Sequence, residues 1–296
     1  MTTRVDPLSQ SLTPDRVYYA TGTMLGAEDF TAEQIYHRFQ LARALAYLHG
    51  AGTVAGLRVV HEPAAGGQPE RIRVRPGLAI DRLGRLVEVP RSWCIRLGEW
   101  YKSETADQLA AAFHEEVEIP VSDDSADPPA ASPTTVDGVI ADVFLQFTAC
   151  TRGLTPAFQA GPYDALDAVA PSRVRDGFAL TLVLRDDPNP LVPLPPTTDV
   201  AEIGNVEDRA RAARKAVLNS WRNGTDPQAS GRLTWEREHK RQGQDATDPA
   251  ALFLARIVIP ANPEPPVTRR DEPVAIDNYS RQFVRGTPTL ALFLGL

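Results

Sequence analysis

The run from Gly22 to Val59, GTMLGAEDFTAEQIYHRFQLARALAYLHGAGTVAGLRV, constrains the fold more than any other part of the chain. It sets out an approach turn, an amphipathic helix, a glycine stop and a strand in one continuous segment. Thr31 and Gln34 stand at capping-box spacing, where the hydroxyl accepts from the Gln34 amide and the Gln34 side chain reaches back. Phe30 and Ile35 flank that box as a hydrophobic staple. Ile35, Phe39, Ala42, Leu45 and Leu48 recur at helical spacing, and Gly50 and Gly52 supply the left-handed geometry that stops a helix. Thr53 to Val60 then alternates as a strand. None of these features demands a catalytic group.

Beyond this segment the pattern turns to short strands. In RIRVRPGLAIDRLGRLVEVP, Ile72 and Val74 share a face, Gly77 opens a second strand, Leu83-Gly84-Arg85 reverses the chain, and Leu86 to Val89 returns. Residues 103–117 read as a helix capped by Ser103. Ser122 to Thr135, acidic and proline-bearing, reads as a surface loop. Val139 to Cys150 is apolar on both faces and therefore central in a sheet. A turn at Asp176-Gly177 leads into a strand over Phe178 to Leu184. The proline run Asp187 to Val200 denies a regular ladder its amide protons. After it, Val206, Ala210, Ala213, Val217 and Trp221 form the stripe of a third amphipathic helix. Leu252 to Ile259 is a buried strand, and a last strand falls near Gln282 to Val284. The expectation is an α+β fold with an antiparallel β-rich core, an N-terminal amphipathic helix and an inserted helical arm. Its parts are an extended arm over 1–20, the main domain over 21–186, the connector and arm over 187–250, and a completing segment with an apolar tail over 251–296.

The net charge of -7 excludes the broad basic face that nucleic acids or anionic membranes require. No segment approaches the roughly 20 apolar residues of a membrane helix, and no secretory signal is visible at the start, so a cytoplasmic protein is expected. Cys94 and Cys150 are the only cysteines and lack metal-site spacing.

The chemistry-bearing patterns each fail a physical requirement. Gly50 to Gly56 looks like a phosphate loop, but it follows a helix and opens a strand, the reverse of the order such loops need. His114-Glu115 begins a zinc-protease pattern, yet Glu118 stands where the second histidine belongs. His37, His49 and His61 are spaced twelve apart, which puts no pair on one helix face. Asp29 and Glu33 share a helix face as paired carboxylates would, and a helix N-terminus explains them as well. Arg173 and Arg175 are able to grip an anion, though pairing with acidic neighbours is the expected use. No catalytic, cofactor or metal residue is therefore assigned, and the chain reads as a non-enzyme. Two features point outward. Trp221 and Trp235 lie in or beside the arm, and serve either an interface or packing on the parent domain. The ending TLALFLGL, with Leu290, Leu292, Phe293, Leu294 and Leu296, must dock in its own domain or on a neighbour.

Four separated pieces together resemble one family. They are GAEDFTAEQIYHR leading into HGAGTVAGLRV, the hairpin VRPGLAIDRLGRLVEVP, the run PSRVRDGFALTLVL, and LARIVIP followed by IDNYSRQFV. The order is similar to that of bacterial proteins found with contractile injection systems and related phage-tail-like particles. The matching positions are Asp29, Phe30, Glu33, Gln34 and Tyr36; Gly56, Leu57 and Val59; and Pro76, Gly77, Ala79, Asp81, Gly84 and Arg85. The resemblance covers most of the chain outside 120–135 and 187–250. It implies a structural or accessory subunit that contacts other particle proteins at the baseplate, cap or an outer appendage, in several copies, and it carries over no catalytic residue. The alternative is a carbohydrate- or cell-surface-binding module of such a particle, with a groove lined by Trp93, Trp100 or Tyr101.

Overall fold

The computed structural model describes residues 15–123, 130–156, 169–186, 204–219 and 250–284, with Gly286. Helix α1 (Ala27–His49) begins one turn before the expected box. Gly26 is the N-cap, and its N–H donates to Asp29 Oδ2 at 2.8 Å. Thr31 lies inside the helix, its hydroxyl donating to Ala27 O at 2.8 Å, so the Thr31–Gln34 box is not made. Phe30 is exposed, so the Phe30–Ile35 staple is not buried either. The reason is electrostatic: a carboxylate at the third helical position accepts a charge-assisted bond at the positive helix end, and outcompetes a threonine hydroxyl. Phe39 and Ala42 are buried, Ile35 and Leu45 half-buried, and Leu48 exposed, a narrower stripe than the spacing predicts. Gly50 stops the helix at φ +72, its N–H donating to Ala46 O at 3.1 Å.

The single strand expected over 53–60 is two. Strand β1 (Gly52–Gly56) ends where Leu57 turns to φ +59 and buries its side chain fully, and β2 (Val59–Glu62) leaves in another sheet. Strand β3 (Arg71–Val74) pairs with β2, while β4 (Gly77–Ile80) pairs with β1. Strand β5 (Leu86–Val89) completes the β1–β4 sheet, and β6 (Trp93–Arg96) completes the β2–β3 sheet. Two antiparallel three-stranded sheets are thus interleaved along the sequence.

The helix expected over 103–117 is replaced by three elements: α2 (Leu97–Ser103), α3 (Ala106–Ala111) and the start of β7 (Phe113–Asp123). Ser103 closes α2, donating to Trp100 O at 2.7 Å. The cap of α3 is Thr105, in a reciprocal box with Gln108. From Phe113 the pairing wins over helix propensity, because Val117 and Ile119 alternate into a buried face with Glu118 outside. The loop expected over 122–135 is largely strand: β8 (Ala130–Pro156) returns along β7, with Ser122 opposite Ala131 and Glu118 opposite Thr135. Residues 124–129 between them lie outside the described residues.

Strand β8 is the hub, as the apolar run Val139 to Cys150 predicts. Strand β7 pairs with its first half, β9 (Val169–Leu184) continues along the same edge, and β10 (Leu252–Asn262) runs on the other edge from Gly138 to Leu145. At the junction, Ile140 donates its N–H to Ala112 O and accepts from the Arg185 N–H, both at 2.9 Å. Asp176 and Gly177 form no turn; they sit in the ladder opposite Ala149 and Thr148, and β9 starts nine residues earlier than expected. Strands β11 (Thr268–Arg269) and β12 (Ala275–Asp277) pair with β10. The expected strand at Gln282–Val284 reduces to one parallel bridge between Phe283 and Thr53. Helix α4 (Val206–Asn219) is present, and Asn205 Oδ1 accepts from the Glu207 N–H at its start. Trp221, Trp235, Leu290, Leu292, Phe293, Leu294 and Leu296 lie outside the described residues.

The architecture is α+β with an antiparallel β-rich core. One face of the large sheet (Val139, Ala141, Val143, Leu145, Ile257, Ile259) packs with Val59, Ile72, Val74, Val87 and Val89 of the small sheets. Each such side chain contributes about 1.5–3 kcal/mol on burial. On the other face β7 and β12 approach each other, so the sheet curls around Val117, Ile119, Ile140, Val258 and Ala275.

The β4–β5 turn ties the parts together. Asp81 Oδ1 accepts from the N–H groups of Leu83 (2.9 Å) and Arg85 (2.8 Å), and Oδ2 accepts from Arg85 Nε at 2.6 Å. The Arg85 guanidinium lies 4.5 Å over the Phe147 ring. Burial pushes the Asp81 carboxyl up to about 6, against the pull of Arg85 and the two amides. A raised carboxyl pKa favours folding below the unfolded value near 4, and that contribution is lost as pH rises through about 6. The stability difference between wild type and Asp81→Asn is therefore expected to shrink in favour of the variant by up to about 3 kcal/mol from pH 4 to pH 7. Urea unfolding of both proteins across that range checks it.

Candidate functional site

Two polar assemblies stand out. The first is inside the large sheet. Asp142 on β8 faces Arg256 on β10 in register, and the guanidinium grips the carboxylate with both ends: Nε to Oδ1 at 2.9 Å and Nη2 to Oδ2 at 3.1 Å. Arg185, just past β9, approaches Asp142 Oδ2 at 3.7 Å, and Asp277 on β12 lies opposite Arg256. All four residues are buried, between the Ile140–Val258 cluster and the Phe144–Phe253 cluster. In this cluster the paired side chains tie β8 to β10, and Arg185 is drawn to the same carboxylate from the end of β9. Sequence reasoning missed it, although a lone Asp142 in VIADVFLQF and a lone Arg256 in LFLARIVI were the available signal.

The histidines do not converge. His61 Nε2 meets Glu70 Oε1 at 2.6 Å, and its Nδ1 accepts from the Val274 N–H; Glu70 also holds Arg269. His49 is exposed at the end of α1, and His37 sits 3.8 Å from Glu33. Asp29 caps its helix and Glu33 accepts from the Tyr19 hydroxyl, so the two form no carboxylate pair. Among the described residues no group of three or more metal-ligating side chains gathers. Gly52, Gly77 and Gly84 each sit where a side chain would overlap neighbouring backbone. Trp93 is half exposed with its ring edge-on to Phe178, Trp100 packs on the core, and Tyr101 is buried with its hydroxyl donating to Val267 O. Tyr101, being buried, faces no open groove.

The second assembly is exposed. Past Gln146, β8 and β9 continue as a two-stranded ribbon, and the register puts Arg152 directly opposite Arg173, with Cys150 opposite Arg175. Strand alternation therefore sets all three arginines on one face. They line an open cleft of about 450 Å³ together with Gly153, Ser172 and Val174. Asp176 falls on the opposite face, and among the described residues no carboxylate pairs with Arg152, Arg173 or Arg175. The expected pairing of Arg173 and Arg175 with acidic neighbours is not made there. Like charges directly across a ladder cost roughly 0.2–1 kcal/mol, so the ribbon is held against its own electrostatics. Guanidinium forks in an open cleft suit carboxylates or phosphates. Leu154, Val169 and Val174 add exposed apolar surface; Leu154 is 73% exposed. Arg152 escaped the sequence reading because only the strand register brings it to the other two.

Among the described helices none is long and apolar enough to cross a membrane. No protein-family model matches this chain, and no curated protein is similar to it.

Proposed function

We propose that the chain is a non-enzymatic assembly subunit of a contractile, phage-tail-like injection particle, built in the cytoplasm and acting through contacts with other particle proteins at the baseplate, cap or an outer appendage. The observation that carries the reading is the β8–β9 ribbon, a hydrogen-bonded extension beyond the packed core with exposed Leu154, Val169 and Val174 and an arginine face that no carboxylate among the described residues pairs with. A rigid ribbon of this kind presents main-chain edges and side chains to a partner at little ordering cost. The motif residues support it from below: Asp81, Gly84 and Arg85 do packing work at the junction of α1, the small sheets and β8.

Leu154→Asp together with Val174→Asp is expected to leave the isolated protein's thermal unfolding nearly unchanged, since both side chains are exposed. Particle contacts should weaken tenfold or more, because each apolar side chain buried in a contact is worth about 1.5–3 kcal/mol. Counting intact particles by electron microscopy from cells carrying the variant reads this out. Particles at wild-type number would remove the ribbon from the assembly account.

A further inference from the structure

We infer that the arginine cleft receives a second copy of this chain, whose acidic β7 segment fills it, so that copies associate head to tail. The inference rests on the assembly reading above and names the partner. One strand links the two surfaces: β8 has 27 residues, a length that extends to about 90 Å. The β7–β8 hairpin occupies its first part, and the β8–β9 ribbon its last.

Beside residues 135–138 of β8, Glu115, Glu116 and Glu118 are exposed and make no ion pair with any described residue. On the ribbon stand Arg152, Arg173 and Arg175, also exposed and also without carboxylate partners among the described residues. Each set is repulsive by itself, and each is the other's complement. A carboxylate seated between Arg152 and Arg173 removes a repulsion that the β8–β9 register imposes within one chain. With a net charge of -7, two copies repel at most orientations. The cleft is where an approaching acidic copy meets attraction. Exposed Leu154 and Val169, on the same ribbon face as the arginines, supply apolar rim. Because the acidic segment lies beside residues 135–138 of β8 and the arginines at residue 152 and its β9 partners, the two surfaces are different patches and the contact is heterologous. It leaves one free end on each copy and propagates to a ring or a filament.

Sedimentation velocity on the full chain tests this. At low salt the wild-type mass should rise with concentration, and it should fall to that of a monomer near 1 M salt, where charges are screened beyond about 3 Å. Arg152→Gln with Arg173→Gln, and separately Glu115→Gln with Glu118→Gln, should each abolish growth while keeping wild-type circular dichroism. Mixed, the two variants should form a one-to-one dimer that does not grow, since each retains one working end. A wild type that stays monomeric, a wild type that stops at a dimer, variants that keep wild-type mass, or a mixture that stays monomeric would each overturn the inference. Co-purification of a monomeric wild type with particle proteins would remove this contact and leave the assembly reading standing.

Discussion

Asp142→Ala is expected to cost about 3–5 kcal/mol of folding stability, the largest loss from any single substitution considered. The carboxylate is fully buried and receives both arms of Arg256, with Arg185 close behind. Its removal takes from two buried guanidinium groups the carboxylate they share. Most domains are stable by only about 5–15 kcal/mol, so the variant should unfold at much lower urea. The paired replacement Asp142→Leu with Arg256→Met separates the cost of an orphaned charge from the value of the pair. It should recover most of the loss, since an apolar pair of similar volume is often neutral or better than a buried ion pair. If the single variant unfolds within about 1 kcal/mol of wild type, the cluster does not hold the strands.

Gly84→Ala is the second large effect, at roughly 2–5 kcal/mol. Gly84 sits at φ +83, and a Cβ there would overlap the Ala42 carbonyl oxygen of α1. Both terms act together: left-handed strain on alanine, and the displacement of the hairpin from the helix it packs on. Gly66 provides the control. It has φ +58 with nothing within 4 Å of a built Cβ, so Gly66→Ala meets strain without collision. Its cost should be near 1–2 kcal/mol. Equal losses at both positions, measured by chemical denaturation, would mean that the contact with Ala42 is not what requires the glycine.

The same residues show what was legible in the sequence. Local signals that depend on one element held: the helical stripe through Phe39 and Ala42, the stop at Gly50, the reversal at Leu83-Gly84-Arg85, and the apolar runs that became β8 and β10. Errors came where a second element decides. The start of α1 moved because the Asp29 carboxylate reaches the Gly26 amide, a bond invisible to a search for hydroxyl caps. Residues 113–117 changed from helix to strand because β8 offers Val117, and Ile119 beyond it, a buried partner face. The stretch 130–135 looked like loop by composition and is paired with β7 all the same. The arginine cleft was half visible, since Arg173 and Arg175 are neighbours in sequence. Arg152 joins them only through a register that no local pattern encodes.

The chain is proposed to work as a subunit of a contractile particle. The most direct measurement is affinity purification of the tagged full-length protein from its native cell, with mass spectrometry of the chains retained. Sheath, tube or baseplate proteins should accompany the wild type, and should be depleted with the Leu154→Asp/Val174→Asp variant. Recovery of the wild type without any particle protein, from cells shown by electron microscopy to contain particles, would contradict the claim.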